Sequence, residues 1–172
     1  MTPPAVVGAL LDAFTDLGRV LEGMSAEEAI AGEAGSTYAW TVAHLANQVD
    51  SWINVRFAHE APHPLVSADR YRFGGDGRAE SWAELRDASA EVRTAAAAFL
   101  TSMTEADLEQ AIPYPGSLPE LKDRRVSLRY TLIRVLTHHY FHLGELASKR
   151  SAAGHAVGDY PGPLLRTAEA DR

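Results

Sequence analysis

Apolar residues recur every three or four positions along most of the chain, which is the spacing of amphipathic helices. The first such stripe begins after the prolines at positions 3–4, which suit a first helical turn, and ends before Gly23. Its members are Val6, Leu10, Phe14, Leu17 and Leu21. A capping box at residues 25–28 then predicts a short helix that stops at Gly32. The chain therefore opens with one long helix and one short helix.

The second long helix is predicted from about Ala39 to His59. One broad face is apolar and comprises Val42, Ala43, Leu45, Ala46, Val49, Trp52, Ile53 and Phe57. The other face comprises His44, Asn47, Gln48, Ser51 and Val55. A helix face turned to water usually collects Lys and Glu, whereas this one carries uncharged amides and a hydroxyl around a histidine. We therefore expect it to line a polar cavity.

A loop over residues 61–78 follows, broken by prolines and a glycine-rich run. Connections of this length are uncommon in compact domains and are often functional. Ser81 opens a second capping box and a third long helix that runs through Leu100. A further box at residues 104–107 predicts another short helix, which residues 113–116 end.

The fourth long helix has Ser127 as its predicted N-cap and Gly154 beyond its end. The tail at residues 158–163 is rich in proline and glycine and is predicted to be rigid and non-helical. The pattern predicts no strand. The predicted fold is all-α: a four-helix bundle with two short extra helices and long crossover loops, in a single domain over residues 1–172.

Three of the chain's seven histidines lie in one five-residue stretch of the fourth helix, residues 138–142. His138 and His142 are four residues apart and project side by side, the helical spacing that lets two imidazoles bind one metal ion. On spacing alone His139 and His142 are an alternative pair, but the helical wheel places His139 in the core stripe, where a hydrogen-bonded core histidine is expected. His44 on the second helix is the candidate third ligand. The histidines predicted to be solvated are His59, His63 and His155.

Composition narrows the classes of partner and location. The formal net charge of −7 at pH 7 argues against a nucleic-acid partner, because affinity for phosphate backbones requires clustered Lys and Arg. The chain has no cysteine, which excludes disulfides, thiolate ligands and a cysteine nucleophile. Its first residues lack the basic region of a signal peptide, and no apolar run approaches the ~20 residues of a membrane span. We expect a cytoplasmic protein with no membrane partner.

His44, with Trp52 beyond it, and the stretch HHYFHLGE at residues 138–145 resemble the DinB-like superfamily of metal-binding four-helix bundles. That superfamily includes thiol-dependent S-transferases, the metal-binding domain of mycothiol-dependent maleylpyruvate isomerase, and a related domain of ergothioneine-pathway sulfoxide synthases. The tail at residues 158–163 is also similar to tails in these proteins. The resemblance implies a bundle in which a divalent metal is held by His44, His138 and His142.

Three neutral imidazoles suit Zn²⁺, Ni²⁺, Co²⁺ or Fe²⁺ and leave a position open for water or substrate. Because the chain has no cysteine, any thiol must come from outside, and the resemblance implies mycothiol or bacillithiol attacking an electrophilic small-molecule substrate. Glu145 and Gln48 are the candidate catalytic residues, either orienting imidazoles or binding substrate. For Asn47 we favour ordinary polar lining over the same role. Tyr160 either closes the cavity or packs as a tail residue.

Two alternatives remain open from the sequence. The same ligands would serve a metal-dependent hydrolase that activates water, or a non-catalytic dimeric bundle that binds metal or a partner. A homodimer is expected in each case, since bundles of this kind commonly associate through exposed helix faces.

Overall fold

Six α-helices occupy most of the part of the chain that the computed structural model describes, namely residues 3–32, 35–114, 116 and 118–170. The helices are α1 (Ala5–Val20), α2 (Ala26–Ile30), α3 (Tyr38–Val49), α4 (Trp82–Leu100), α5 (Leu128–Ala152) and α6 (Leu165–Ala170). A π-helical turn, Asp50–Asn54, continues α3, so the predicted second long helix is two segments. The prediction of an all-α fold is confirmed.

The four long helices, α1, α3, α4 and α5, form the bundle, and two pairs of them run parallel. The first half of α3 packs in one apolar cluster with Trp82 and Leu85 at the start of α4, and its last turn packs in a second cluster with the end of α4. Helix α5 runs parallel to α1. The order of contacts along the two helices shows this, since Tyr140 bonds to Asp16 and the later Arg150 bonds to the carbonyl of the later Val20. Parallel neighbours need a chain crossover. The long loop at residues 61–78 is part of the α3–α4 crossover.

Of the caps predicted at Ser25, Ser81 and Ser127, those at Ser25 and Ser127 are confirmed and that at Ser81 is wrong. The hydroxyls of Ser25 and Ser127 each accept a hydrogen bond, 3.1 Å long, from the backbone amide three residues later. The Ser81 side chain makes no such bond at the start of α4. There the buried ring of Trp82 fixes the start of the helix by packing.

The connection between α4 and α5 departs from the prediction. The capping box at residues 104–107 is formed, since the Asp107 carboxylate accepts from the Thr104 amide at 2.7 Å, but it closes only a 3₁₀ turn. Two short strands follow, β1 (Ala111–Pro113) and β2 (Arg125–Ser127), which pair antiparallel. The prediction of no strand was wrong. Strands of three residues are too short to show the alternation of apolar and polar residues by which a strand is recognised. Pro115, in the predicted helix stop, lies outside the described residues.

The C-terminal segment folds back along α1. Helix α6 was not predicted, and α1 holds it through the buried carboxylate of Asp12, which accepts bonds from the Thr167 amide at 3.0 Å and hydroxyl at 2.9 Å. Gly8 lets the two helices approach closely, because a Cβ there would lie 2.9 Å from the Arg166 carbonyl oxygen. Among the described helices, none combines the length and apolar character needed to cross a membrane.

Candidate metal centre

Three histidine side chains meet between α3 and α5. His44 comes from α3, and His138 and His142 come from successive turns of α5; one ring nitrogen of each lies within 4.8 Å of the other two. The Nε2 atoms of His44 and His138 are 3.0 Å apart. His138 and His142 are four residues apart on α5, so both face the single histidine of α3. The sequence-predicted set of three is therefore brought together.

The orientation of His44 is fixed from outside its own helix. Its Nδ1 donates to the backbone carbonyl of Tyr71 at 2.7 Å, which leaves Nε2 unprotonated and directed at the other two histidines. The Trp40 ring stacks on the imidazole at 4.9 Å and 7°. His44 is only 4% exposed. A ring held on one nitrogen and one face is preorganised to bind through the other nitrogen.

His142 is oriented by Glu145, one turn further along α5. The Nδ1 atom of His142 lies 2.6 Å from a carboxylate oxygen of Glu145. A carboxylate hydrogen-bonded to one imidazole nitrogen makes the other nitrogen a better metal ligand. Glu145, predicted as catalytic, thus contacts a predicted ligand directly and carries the only acidic group seen in contact with the three histidines in the described structure.

Burial favours the uncharged form of two of these imidazoles, His44 and His138. Desolvation lowers the pKa of His44, against the bond to the Tyr71 carbonyl, which raises it. Desolvation, with the charges of His142 and His44, lowers the pKa of His138 to about 4. Metal binding requires deprotonated imidazole nitrogen, so these ligands need give up no proton at pH 7. The donor set, its spacing and its partners fit a divalent transition metal.

His139 lies on the core-facing side of α5. It is 0% exposed, its Nδ1 donates to the Val135 carbonyl one turn earlier at 3.0 Å, and the Phe14 ring lies 5.4 Å away. Desolvation lowers its pKa to about 3. This is the hydrogen-bonded core histidine expected from the helical wheel.

The loop at residues 61–78 is anchored to α3 by three side chains spaced four and three residues apart. The indole nitrogen of Trp40 donates to the Arg70 carbonyl at 2.7 Å, His44 donates to Tyr71, and the Asn47 amide donates to the Val66 carbonyl at 2.9 Å. Sequence reasoning missed this role of the loop. The available signal was the polar donors at i, i+4 and i+7 on one face of the helix.

Asn47 and Gln48 differ from one another. The side chain of Asn47 is buried and donates a hydrogen bond to the Val66 carbonyl of the loop, so it does not orient an imidazole. Gln48 is half-buried and makes no side-chain hydrogen bond among the described residues. Gln48 lies one turn beyond His44 on α3.

Two further predicted positions are His63, whose surroundings differ from those expected, and Tyr160, which takes one of its two expected places. His63 is partly buried rather than solvated: its backbone amide donates to the Asp50 carboxylate at 3.0 Å and its Nε2 lies 3.2 Å from Glu91. Tyr160 packs under Arg19 of α1, with the guanidinium carbon 5.1 Å from its ring centroid. Its cluster includes Tyr140, on the side of α5 away from His138, so Tyr160 is a packed tail residue.

The chain was compared with protein families, with curated proteins and with solved structures. A family model described as the DinB superfamily matches residues 8–146, a range that holds the three histidines, Gln48 and Glu145. The match ends before the tail, so the similarity noted for residues 158–163 lies outside it. No curated protein and no solved structure matches the chain.

Proposed function

This chain belongs to the DinB superfamily, and from that premise we propose that it is a divalent-metal-binding protein whose metal is held by His44, His138 and His142. We further propose that it is an enzyme of the S-transferase or isomerase type acting with a low-molecular-weight thiol. Its expected homodimeric state and cytoplasmic location stay predictions.

The observation that carries the proposal is the way two of the histidines are held. The Nδ1 atoms of His44 and His142 are already engaged, by the Tyr71 carbonyl and by Glu145, so each ring presents Nε2. An accidental cluster of histidines has no reason to share this arrangement. Partners on the far nitrogen are the usual feature of metal-binding histidines.

A divalent metal bound by three imidazoles supplies Lewis acidity that lowers the pKa of a thiol or a water molecule to near neutrality. The protein's own residues do the rest. His44 and His142 are kept in one orientation by their partners, and α3 and α5 bury the rings from bulk water. Since the chain has no cysteine, the thiol is a cosubstrate, and mycothiol and bacillithiol are the proposed ones. The proposed substrate-binding residue is Gln48, one turn beyond His44 on α3, whose amide makes no side-chain hydrogen bond among the described residues.

The first test measures the metal content of protein purified without a histidine tag. We expect about one divalent metal per chain in the wild type, and loss of metal in His44→Ala, His138→Ala and His142→Ala, since two imidazoles bind far more weakly than three. His155→Ala is the matched control, because this histidine is exposed on the C-terminal side of α5. Stoichiometric metal in the three variants, or none in the wild type after reconstitution with zinc or nickel, would refute the metal centre.

The second test concerns the reaction. Metal-loaded wild type is incubated with mycothiol or bacillithiol and an electrophilic bimane, and thiol consumption is followed against the His138→Ala variant. Rate enhancement that requires the thiol and His138 supports the transferase. Hydrolysis of activated esters at the same site, without any thiol dependence, would replace it with the hydrolase.

A further inference from the structure

A second cluster of aromatic and cationic side chains lies one helical turn from the histidines. We call it the arginine pair: Arg56 and Arg134, packed on the ring of Trp52. Their guanidinium carbons lie 4.0 Å and 5.0 Å from the Trp52 ring centroid. The Tyr114 ring stacks beside Trp52 with the centroids 5.8 Å apart. The cluster unites the turn after α3, the β1 end and α5.

The arginine pair is short of hydrogen-bond acceptors. Arg56 Nη1 and Arg134 Nε are buried, and neither has a partner within the described structure. By contrast, Arg129, also on α5, is bound by two carboxylates at 2.8 Å. Stacking on an aromatic ring stabilises a cation but does not satisfy its N–H groups, and a buried donor without an acceptor is destabilising.

The two guanidiniums also repel one another. Desolvation lowers the pKa of Arg56, and the positive charge of Arg134 lowers it further, although Arg remains charged at neutral pH. Two partly buried like charges with free donors are unfavourable without a ligand. An anion between them removes both costs, because it supplies acceptors and opposite charge together.

The position of the pair connects it to the candidate metal centre. Arg134 precedes His138 by four residues, so the two side chains lie on one face of α5, about 6 Å apart along the axis. On the facing segment, Trp52 lies two turns after His44, with Gln48 between them. The pair and the histidines therefore border one continuous surface between α3 and α5.

We propose that Arg56 and Arg134 bind the carboxylate of a small organic anion and so position it beside the three histidines. The proposal rests on the proposed function for the identification of that anion as a substrate, although its binding does not depend on metal. Planar guanidiniums match a carboxylate through paired N–H donors. Guanidiniums match phosphate in the same way, so the test compares the two anions directly.

The test measures the binding of benzoate to metal-free protein by isothermal titration calorimetry. Benzamide is the neutral probe of the same shape, and inorganic phosphate is the competing anion. We expect benzoate to bind the wild type saturably. Its affinity should fall by roughly tenfold or more in Arg56→Gln and in Arg134→Gln, because charged hydrogen bonds are lost. Benzamide should bind the wild type more weakly than benzoate by a similar factor for the same reason. Arg129→Gln is the matched control on α5, and we expect its affinity to equal that of the wild type.

Three results would overturn the proposal: benzamide binding as tightly as benzoate, equal weakening in Arg129→Gln, or phosphate binding through the pair in place of benzoate. Thermal melts verify that each variant is folded. If a Gln variant does not fold, Arg56→Lys and Arg134→Lys take its place, with several-fold weakening expected because Lys keeps the charge but lacks the paired donors. Failure here with intact metal content in the histidine test would leave the proposed metal centre standing. Success here without metal binding would separate the anion site from it.

Discussion

The two faces of α5 use neighbouring histidines in opposite ways. On the core face, His139 is fully buried and bonds to the carbonyl of its own helix one turn back. On the cleft face, His138 and His142 point across to α3, and His142 is held by Glu145. The residue type is the same and the positions differ by one to three. The position of a histidine around the helix decides whether its imidazole packs in the core or is a candidate metal ligand.

The comparison also shows where each histidine finds its partners. His139 is satisfied on one nitrogen within a single turn of α5, and its Nε2 has no partner in the described structure. The group of three draws on α3, α5 and the loop that carries Tyr71. A core position needs only local geometry and volume, whereas the metal centre needs several segments to be correctly placed together.

The strongest test of the contrast compares the stability of metal-free variants. We expect His139→Ala to lower the free energy of unfolding by about 3 kcal/mol, because it leaves a cavity in a packed core. His138→Ala, at the half-buried cleft face, should cost less than about 1 kcal/mol. Chemical denaturation measures both.

The control for this test is His139→Leu, which fills the volume and removes the unpartnered nitrogen. It should be close to neutral in stability and should retain metal. A His139→Leu protein that is folded but has lost its metal would mean that the two faces are not separate.

A smaller effect is expected at Glu145. In Glu145→Gln the side chain still accepts a hydrogen bond from His142 but has no charge to strengthen it. We expect metal affinity to fall by roughly tenfold, with stability of the metal-free protein unchanged. Competition with a chromophoric chelator measures the affinity. Glu84→Gln, at the exposed start of α4, is the control, and equal affinities in the two variants would show that Glu145 does not act through His142.

The smallest effect concerns the loop that holds His44. Asn47→Ala removes the donor to the buried Val66 carbonyl and should cost about 1 kcal/mol of stability, together with faster hydrogen exchange in the loop. Gln48→Ala is the neighbouring control, and should change stability by less than about 0.5 kcal/mol because its amide has no partner there. If amide hydrogens of the loop exchange at equal rates in the two variants, the loop is held in place by a contact other than that of Asn47.

The sequence by itself determined the four long helices, α2 and the pairing of His138 with His142, because all of these depend on spacing within one helix. Helical periodicity and the Ser25 and Ser127 caps act over a few residues and can be recognised in any chain that contains them. The same periodicity separated His139 from its neighbours. The partly polar face of the second helix added His44 as the candidate third ligand, the resemblance implied the same three residues, and the family match confirmed the superfamily.

Only the tertiary structure decided the rest, because it depends on residues far apart in the chain. The Tyr71 carbonyl that orients His44, and the meeting of Arg56 with Arg134 on Trp52, arise only when the crossover loop and α5 close on α3. The short β1–β2 hairpin and α6 likewise form where distant segments supply partners, β1 pairing with β2 and α6 bonding to Asp12. A local pattern specifies which face a side chain occupies, but the group that it meets there is set by the packing of the whole bundle.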